Sequence, residues 1–592
     1  MAPVLSAPES EVQAMADDGN SKPAVDLIYP KELVSPPQPP EGARLDANIY
    51  VTMRDGVRLA VDVYRPEAEG SYPALLSLAP YMQDIQRKPP HWSHAIESGA
   101  TSFYVPKGYV HVIAQGRGGG LSEGQWRWLD ERERTDGYDL IEWIAAQPWC
   151  TGNVGMIGDS YWSWSQYAAA IAQPPHLKCI CQCDGTTDLY RDVCYQGGIF
   201  QHQFLGNWAQ YITSQTAWPG RVEGKLPPIN LHYEVATHPH DGAWYRERSA
   251  WTKLDRIKTP TMAICPQGGA MHFRGQLWGY PRIDAPKKLM VVPPTGFWSH
   301  LRYLTNRPLN RQMLRWFDHW LKGIDTGIMD EPEVAIFDSG TRRWRYENEY
   351  PLARTQWKKY FLRAGAATGP ASGQLHEEAP GDEQPDSYRV PDSYAQLVSG
   401  EPVLAYVTPP LEADLRIWGP LSLVLYASST EIDTAWHIKL TAILPDAAVR
   451  PLSRGVLKAS FREVDAARSN PGQPFHPFER MDLLEPGVIY EFQIELRPIF
   501  HTLPAGHRLR LEIASEDIQY GNPQRQIDVQ LLPWPVENSV HHDAEHSSHL
   551  LLPVIPDAAE IKSVAPPVSE IDWPLVQGSW MPNTDGWPLT GD

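Results

Sequence analysis

Cysteine is scarce, with six in 592 residues. That is too few for a disulfide framework. Three of the six, Cys179, Cys181 and Cys183, alternate within LKCICQCD. Alternation sets all three on one face of a strand, which predicts buried free thiols rather than the C-x2-C pairs of a zinc site. Positive charge is also short: 52 Lys and Arg stand against 71 Asp and Glu, a net charge of −19, with no basic block. Such a chain repels phosphate backbones, which argues against nucleic acid as a partner. No apolar run approaches the ~18 residues of a membrane span, and MAPVLSAPESEVQAMADDGN has no basic segment followed by an apolar one. The expectation is a cytoplasmic protein with no membrane partner. No HExxH and no GxGxxG at a strand-to-helix turn occur, so no metal and no other cofactor is expected.

What is abundant is proline (56), tryptophan (23) and tyrosine (26). With 42 % apolar and 21 % charged residues, the chain is globular with sizeable cores. Its length allows two to four domains at roughly 100–200 residues each. The aromatic content suits a β-rich enzyme with long ordered loops and an aromatic-lined pocket, or simply a large core.

Residues 1–44 read as an extended arm rich in Pro, Ser and acidic residues. NIYVTMRDGVRLAVDVYRPE then gives two alternating strands around an Asp55-Gly56 turn. Short apolar runs (YPALLSLAPY, GYVHVIAQGRG, VGMIGDS, HLKCICQC) alternate with helical patterns such as TDGYDLIEWIAAQPW, where Leu140, Trp143 and Ile144 share a face. This is the doubly wound α/β arrangement. Residues 45–188 and 251–350 form its two parts, the second closed by the amphipathic NRQMLRWFDHWLKG. Between them, residues 189–250 read as an inserted helical cap. Residues 351–557 lose helical periodicity and predict an all-β sandwich, with 366–398 as a long polar loop. Residues 558–592, with Trp573, Trp580 and Trp587 among prolines, form an extended tail.

The sharpest local signal is Gly155-Met156-Ile157-Gly158-Asp159-Ser160-Tyr161-Trp162. A small residue two before a serine, between a buried strand and a helix, is what a nucleophile elbow requires, because a Cβ at Gly158 would meet the strand. The same pattern also fits a serine that only caps the helix.

DGVRLAVDVYRP, Pro80-Tyr81, GYVHVIAQGRGGGLSEG, DGYDLIEWIAAQPW, GNVGMIGDSYW, TDLYRD, FDHWLKG and LPAGHRLRLEI follow in this order. Together they closely resemble the cocaine esterase and X-Pro dipeptidyl-peptidase (S15) group of serine hydrolases, from about residue 45 to 555. The resemblance implies an α/β-hydrolase core, a helical cap and a C-terminal jelly roll, acting on ester or amide bonds. It makes Ser160 the nucleophile and His300, in the Trp-Ser-His stretch of LMVVPPTGFWSHLRY, the base. The backbone N–H of Tyr161 and the hydroxyl of Tyr81 become the oxyanion donors. Trp162, His272 and, from the cap, His202 and Trp208 are candidates to line the substrate pocket, with a packed or surface role open for each. Arg117 and the glycines after it, Asp188, and Arg191-Asp192 read as scaffold.

The acid departs from the family pattern. Aligning on Phe273-Arg274-Gly275 puts Ala270 where the group's Asp would stand, and no carboxylate lies between Asp255 and Asp284. Asp184, ending the strand after the one that delivers Ser160, is the expected acid. Some relatives lacking the usual Asp have Glu at this point. A role for Asp184 in turn formation, Asp188 as the acid, and a His–Ser dyad oriented by a backbone carbonyl or by Gln267 remain alternatives.

The function expected is a serine hydrolase cleaving a carboxylic ester or amide through an acyl-enzyme, with a bulky apolar or aromatic acyl group. Acyl transfer by the same nucleophile is a second reading, and a non-catalytic ligand-binding protein a third. The expected partner is a small-molecule ester or amide, and a homodimer is left open.

Overall fold

Ten strands build the first sheet of the computed structural model, which describes residues 42–82, 97–216, 222–269, 271–293, 307–365, 373–390, 403–515 and 535–557, with Pro39 and Ile561 as single positions. Nearly all of the N-terminal arm and the C-terminal tail lie outside the described residues. β1 (Ala43–Thr52) and β2 (Arg58–Pro66) pair antiparallel around Asp55-Gly56, where Asp55 Oδ1 accepts from the Val57 N–H at 3.2 Å. The buried apolar runs follow as β3 (Tyr72–Ala79), β4 (Val110–Gln115), β5 (Cys150–Asp159) and β6 (Leu177–Cys183). Two short strands, β7 (Tyr195–Gln196) and β8 (Ile199–Phe200), precede β9 (Thr261–Pro266), β10 (Lys287–Val292), β11 (Val334–Asp338) and β12 (Arg343–Glu347). The sheet order is β1-β2-β4-β3-β5-β6-β9-β10-β11-β12. Strands β4 to β11 run parallel, with antiparallel strands only at the edges.

Helices cover both faces, which is why the central strands are buried along most of their length. On one face lie α1 (Glu131–Ala145) and α2 (Tyr161–Ala172), burying Leu140, Ile141, Ile144, Tyr167 and Ile171. α1 starts where Asp130 accepts from the N–H groups of Arg132 and Glu133, an N-cap as its sequence position requires. Between β8 and β9 come α3 (His202–Thr216), α4 (Leu231–Thr237) and α5 (Ala243–Arg248). α6 (Phe273–Gly279) follows β9, and α7 (Arg307–Lys322) covers the opposite face with Leu309, Met313, Trp316 and Phe317. The three alternating cysteines of β6 are buried and free. No described helix is long and apolar enough to cross a membrane.

The C-terminal part is all-β, with eleven strands among the described residues, β13–β23, between Gln356 and Val554. Its spine is the long antiparallel pair β17 (Leu415–Ser429) and β20 (Tyr490–Leu503). The expected polar loop over 366–398 is corrected. It contains β14 (Gly373–His376), paired with β13 (Gln356–Ala364), and β15 (Asp386–Val390), paired with β22 (Val536–His541). Each is only four or five residues long and exposes every second side chain, so polar outward residues hide the inward alternation.

Candidate active site

Parallel strands deliver their carboxyl ends to one edge of the sheet, where ligand sites of open α/β folds lie. At that edge the Ser160 N–H donates to Cys183 O at 3.3 Å, and the Asp184 N–H donates to Ile264 O at 2.9 Å. These bonds tie the ends of β5, β6 and β9 together, so Ser160, Asp184 and the β9–α6 turn share one edge.

Ser160 stands between β5 and α2 at φ 56° and ψ −117°. A residue with a side chain holds this conformation at a cost of about 1–3 kcal/mol, a strain typical of functional turns. Gly158, at φ 142°, makes the turn feasible: a Cβ there would collide with Trp162 Cβ. Tyr161 and Trp162, the first residues of α2, are buried. The Tyr161 side chain turns away into a network of its own. Trp126 Nε1 donates to Tyr161 Oη at 3.1 Å, and Tyr161 Oη donates to Glu133 Oε2 at 3.0 Å. Glu133 Oε2 also accepts from the Leu129 N–H at 2.7 Å. Burial pushes the Glu133 carboxyl up to about 8, so it is protonated at neutral pH.

Tyr81, just past β3, packs its ring 4.8 Å from that of Trp162 and 6.0 Å from that of Tyr161. The loop after Arg117 supports it from below, where a Cβ at Gly119 would strike Pro80 O. Arg117 itself is committed to Asp136 and Asp55, a scaffold role as expected. Trp208 Nε1 donates to Tyr81 Oη at 3.2 Å. Burial raises the Tyr81 phenol well above its ordinary value, which keeps it a neutral hydrogen-bond donor. Around Tyr81 and Tyr161, rings of Trp126, Trp128, Trp164, Phe204 and Trp208 pack edge to face or stacked.

Asp184, at φ 43°, sets its carboxylate against the β9–α6 turn, where a Cβ at Gly269 would stand 3.2 Å from Asp184 Oδ1. His272 Nδ1 lies 3.3 Å from Asp184 Oδ2, with both side chains buried. The His272 ring also meets Trp164 edge-on at 5.5 Å. Asp159, fully buried beside Ser160, is pushed well above the usual carboxylate range by burial and by the Asp184 charge. The alternative acids are occupied elsewhere. Asp188 accepts from the Tyr190 and Arg191 N–H groups and pairs with Arg191 at 2.9 Å, while Gln267 Nε2 donates to Phe337 O at 2.5 Å. His300 and Ala270 lie outside the described residues. The structure therefore brings Ser160, Tyr81, Tyr161, Trp162, Asp184, His272 and Trp208 to one edge. His202, by contrast, is exposed and meets His232. Glu133, Asp159 and the Asp184–His272 pairing had no sequence signal, because each depends on contacts between separate elements. Among the described residues no cluster of three His, Cys, Asp or Glu side chains is arranged to hold a metal.

Both parts of the chain match known protein families. The profile of the X-Pro dipeptidyl-peptidase (S15) family matches residues 55–302, and that of the X-Pro dipeptidyl-peptidase C-terminal non-catalytic domain matches residues 326–551. Cocaine esterase from Rhodococcus sp. is 28 % identical over 591 residues, covering 86 % of this chain and 98 % of that protein. A CocE/NonD family hydrolase from Staphylococcus aureus shares the fold with a TM-score of 0.77 at 23 % identity, over 86 % of this chain and 93 % of that one. An α-amino acid ester hydrolase structure gives 0.67 at 20 % identity, over 89 % and 99 %.

Proposed function

This chain belongs to the X-Pro dipeptidyl-peptidase (S15) family of serine hydrolases, and we propose that it cleaves an ester or amide through an acyl-enzyme on Ser160. In this reading Ser160 Oγ attacks the substrate carbonyl while His300 takes its proton. The developing oxyanion is held by the Tyr161 N–H and the Tyr81 hydroxyl. Collapse expels the alcohol or amine, protonated by His300, and water then attacks the acyl-serine by the reverse route. Asp184 orients and balances the charge of His300. The observation that supports this most is the strained backbone of Ser160, which lifts Oγ from the sheet at the edge where Tyr81 and Asp184 end their strands. Fixed donors aimed at the oxyanion matter because they need no reorganisation when charge develops, and removing one typically costs about 10²–10³-fold in rate.

The wall of Tyr81, Trp162, Trp164 and Trp208 supports a bulky apolar or aromatic acyl group, since stacked or edge-on aromatic contacts add about 0.5–1.5 kcal/mol beyond area burial. The test is a series of esters with one leaving group and differing acyl groups, run against Ser160→Ala protein as blank. Aroyl esters should exceed acetates in kcat/KM by at least about tenfold, and Ser160→Ala should lose on the order of 10³-fold or more. Equal rates for acetyl and aroyl esters would remove the aromatic preference, and an active Ser160→Ala would remove the nucleophile.

A further inference from the structure

Asp184 needs a partner that the family pattern does not supply. Its carboxylate is buried, and its backbone is left-handed at φ 43°. A buried carboxylate so placed is stable only when hydrogen-bonded. The group within reach is His272, two residues beyond Ala270 on the neighbouring β9–α6 turn. Its Nδ1 stands 3.3 Å from Asp184 Oδ2, and Trp164 fixes the ring from the side at 5.5 Å. The other carboxylate oxygen, Oδ1, and the other ring nitrogen, Nε2, have no hydrogen-bond partner among the described residues.

We propose that His272 is a positioning residue: it donates from Nδ1 to Asp184 Oδ2 and so holds the carboxylate in one orientation. This rests on the reading of Asp184 as the acid. A 3.3 Å separation suits such a bond, since catalytic contacts often tighten only with substrate. Partners of this outer kind typically cost 10–100-fold when removed from well-studied metal sites, and a similar scale is expected here. Among the described residues, the other ionisable groups acting on this pocket are Asp159 on β5, Glu97 ahead of β4, Cys183 on β6 and Cys265 on β9. None of them offers a second cation to take the place of His272.

The test is kcat and kcat/KM for an activated ester from pH 5 to 9, with active sites counted by a fluorophosphonate. Four variants are compared: His272→Phe, His272→Asn, His272→Gln and Asp184→Asn. His272→Phe should lower kcat by about 10–100-fold with KM changed less than threefold, and should move the acidic limb of the profile to lower pH, because the base loses its oriented carboxylate. Asparagine, whose amide nitrogen can stand where Nδ1 does, should restore most of the rate and the limb. Glutamine, whose donor lies one bond further out, should not. If the phenylalanine variant fails to fold, the contrast between asparagine and glutamine decides. A limb unmoved in all three His272 variants overturns the proposal. So does an asparagine variant as inactive as Ser160→Ala, which would make His272 itself the base. Near-normal rates in Asp184→Asn would instead remove the acid on which the proposal rests, whatever His272 does.

Discussion

Trp208 Nε1 donates to Tyr81 Oη at 3.2 Å, joining α3 to the residue that follows β3. A phenol oxygen that accepts a hydrogen bond is polarised into a better donor, an effect of perhaps 10–30 % per bond. The indole therefore tunes the proposed oxyanion donor. Trp208→Phe should lower kcat by roughly 3–10-fold, and Tyr81→Phe by roughly 10–10³-fold, the scale of losing one oxyanion donor. In the Tyr81→Phe background the Trp208 change should cost much less. Additive losses in that double-mutant cycle would mean that the two residues act separately.

The Ser160 backbone makes a stability prediction independent of activity. Ser160→Ala and Ser160→Gly should both be inactive, but only glycine relieves a conformation at φ 56° and ψ −117°. Relief of about 1–3 kcal/mol of strain, less about 0.5–1 kcal/mol for the greater freedom of glycine in the unfolded chain, should leave the glycine variant melting above the alanine variant. Equal melting curves would show that the turn is not strained.

Glu133 supplies the pH prediction. Its folded pKa, raised by burial to about 8, exceeds its unfolded value of roughly 4.3. Its neutral form is thus favoured in the fold, and stability present below the unfolded value is lost as pH rises through about 8. Glu133→Gln keeps the shape and an acceptor for Tyr161 and Leu129 but cannot ionise. Between pH 5.5 and 8.5 the wild-type melting temperature should fall further than that of Glu133→Gln. Parallel curves would place the Glu133 proton elsewhere.

The seam between the two halves should make the hydrolase core dependent on the β-domain. Phe273, Leu277, Leu289 and Leu352 pack with Trp418, Phe500 and Ile555 in one buried cluster. Asp338 accepts from the Thr502 N–H at 3.0 Å, Arg274 Nε donates to Glu495 Oε2 at 2.8 Å, and Arg191 Nη2 donates to His476 O at 2.8 Å. A chain ended after Tyr350 would expose this apolar face and orphan those charges. It should aggregate on expression; a soluble, active core would contradict the shared seam.

The doubly wound α/β core and the Ser160 turn were legible in the sequence because strand ends are marked by local chemistry. VGMIGDS ends in the small residue that its turn demands, and SYWSWSQYAAAIA continues as helix. β14 and β15 were not legible, since GQLH and DSYRV each place only two or three residues inward among prolines and acids. At the site, Asp184 could be picked from its place at a strand end. Its pairing with His272 could not, because that depends on β6 and β9 lying side by side. Glu133 reads as an ordinary first-turn acid of α1, and only the fold reveals Tyr161 and Leu129 converging on it.

The most direct measurement is peptide-level mass spectrometry of the folded protein after brief exposure to a fluorophosphonate, alongside ester turnover in the same sample. The account predicts one adduct, on Ser160, rising in step with loss of turnover and absent from Ser160→Ala protein. Full loss of turnover with Ser160 unmodified, or turnover persisting once Ser160 is fully labelled, would contradict it.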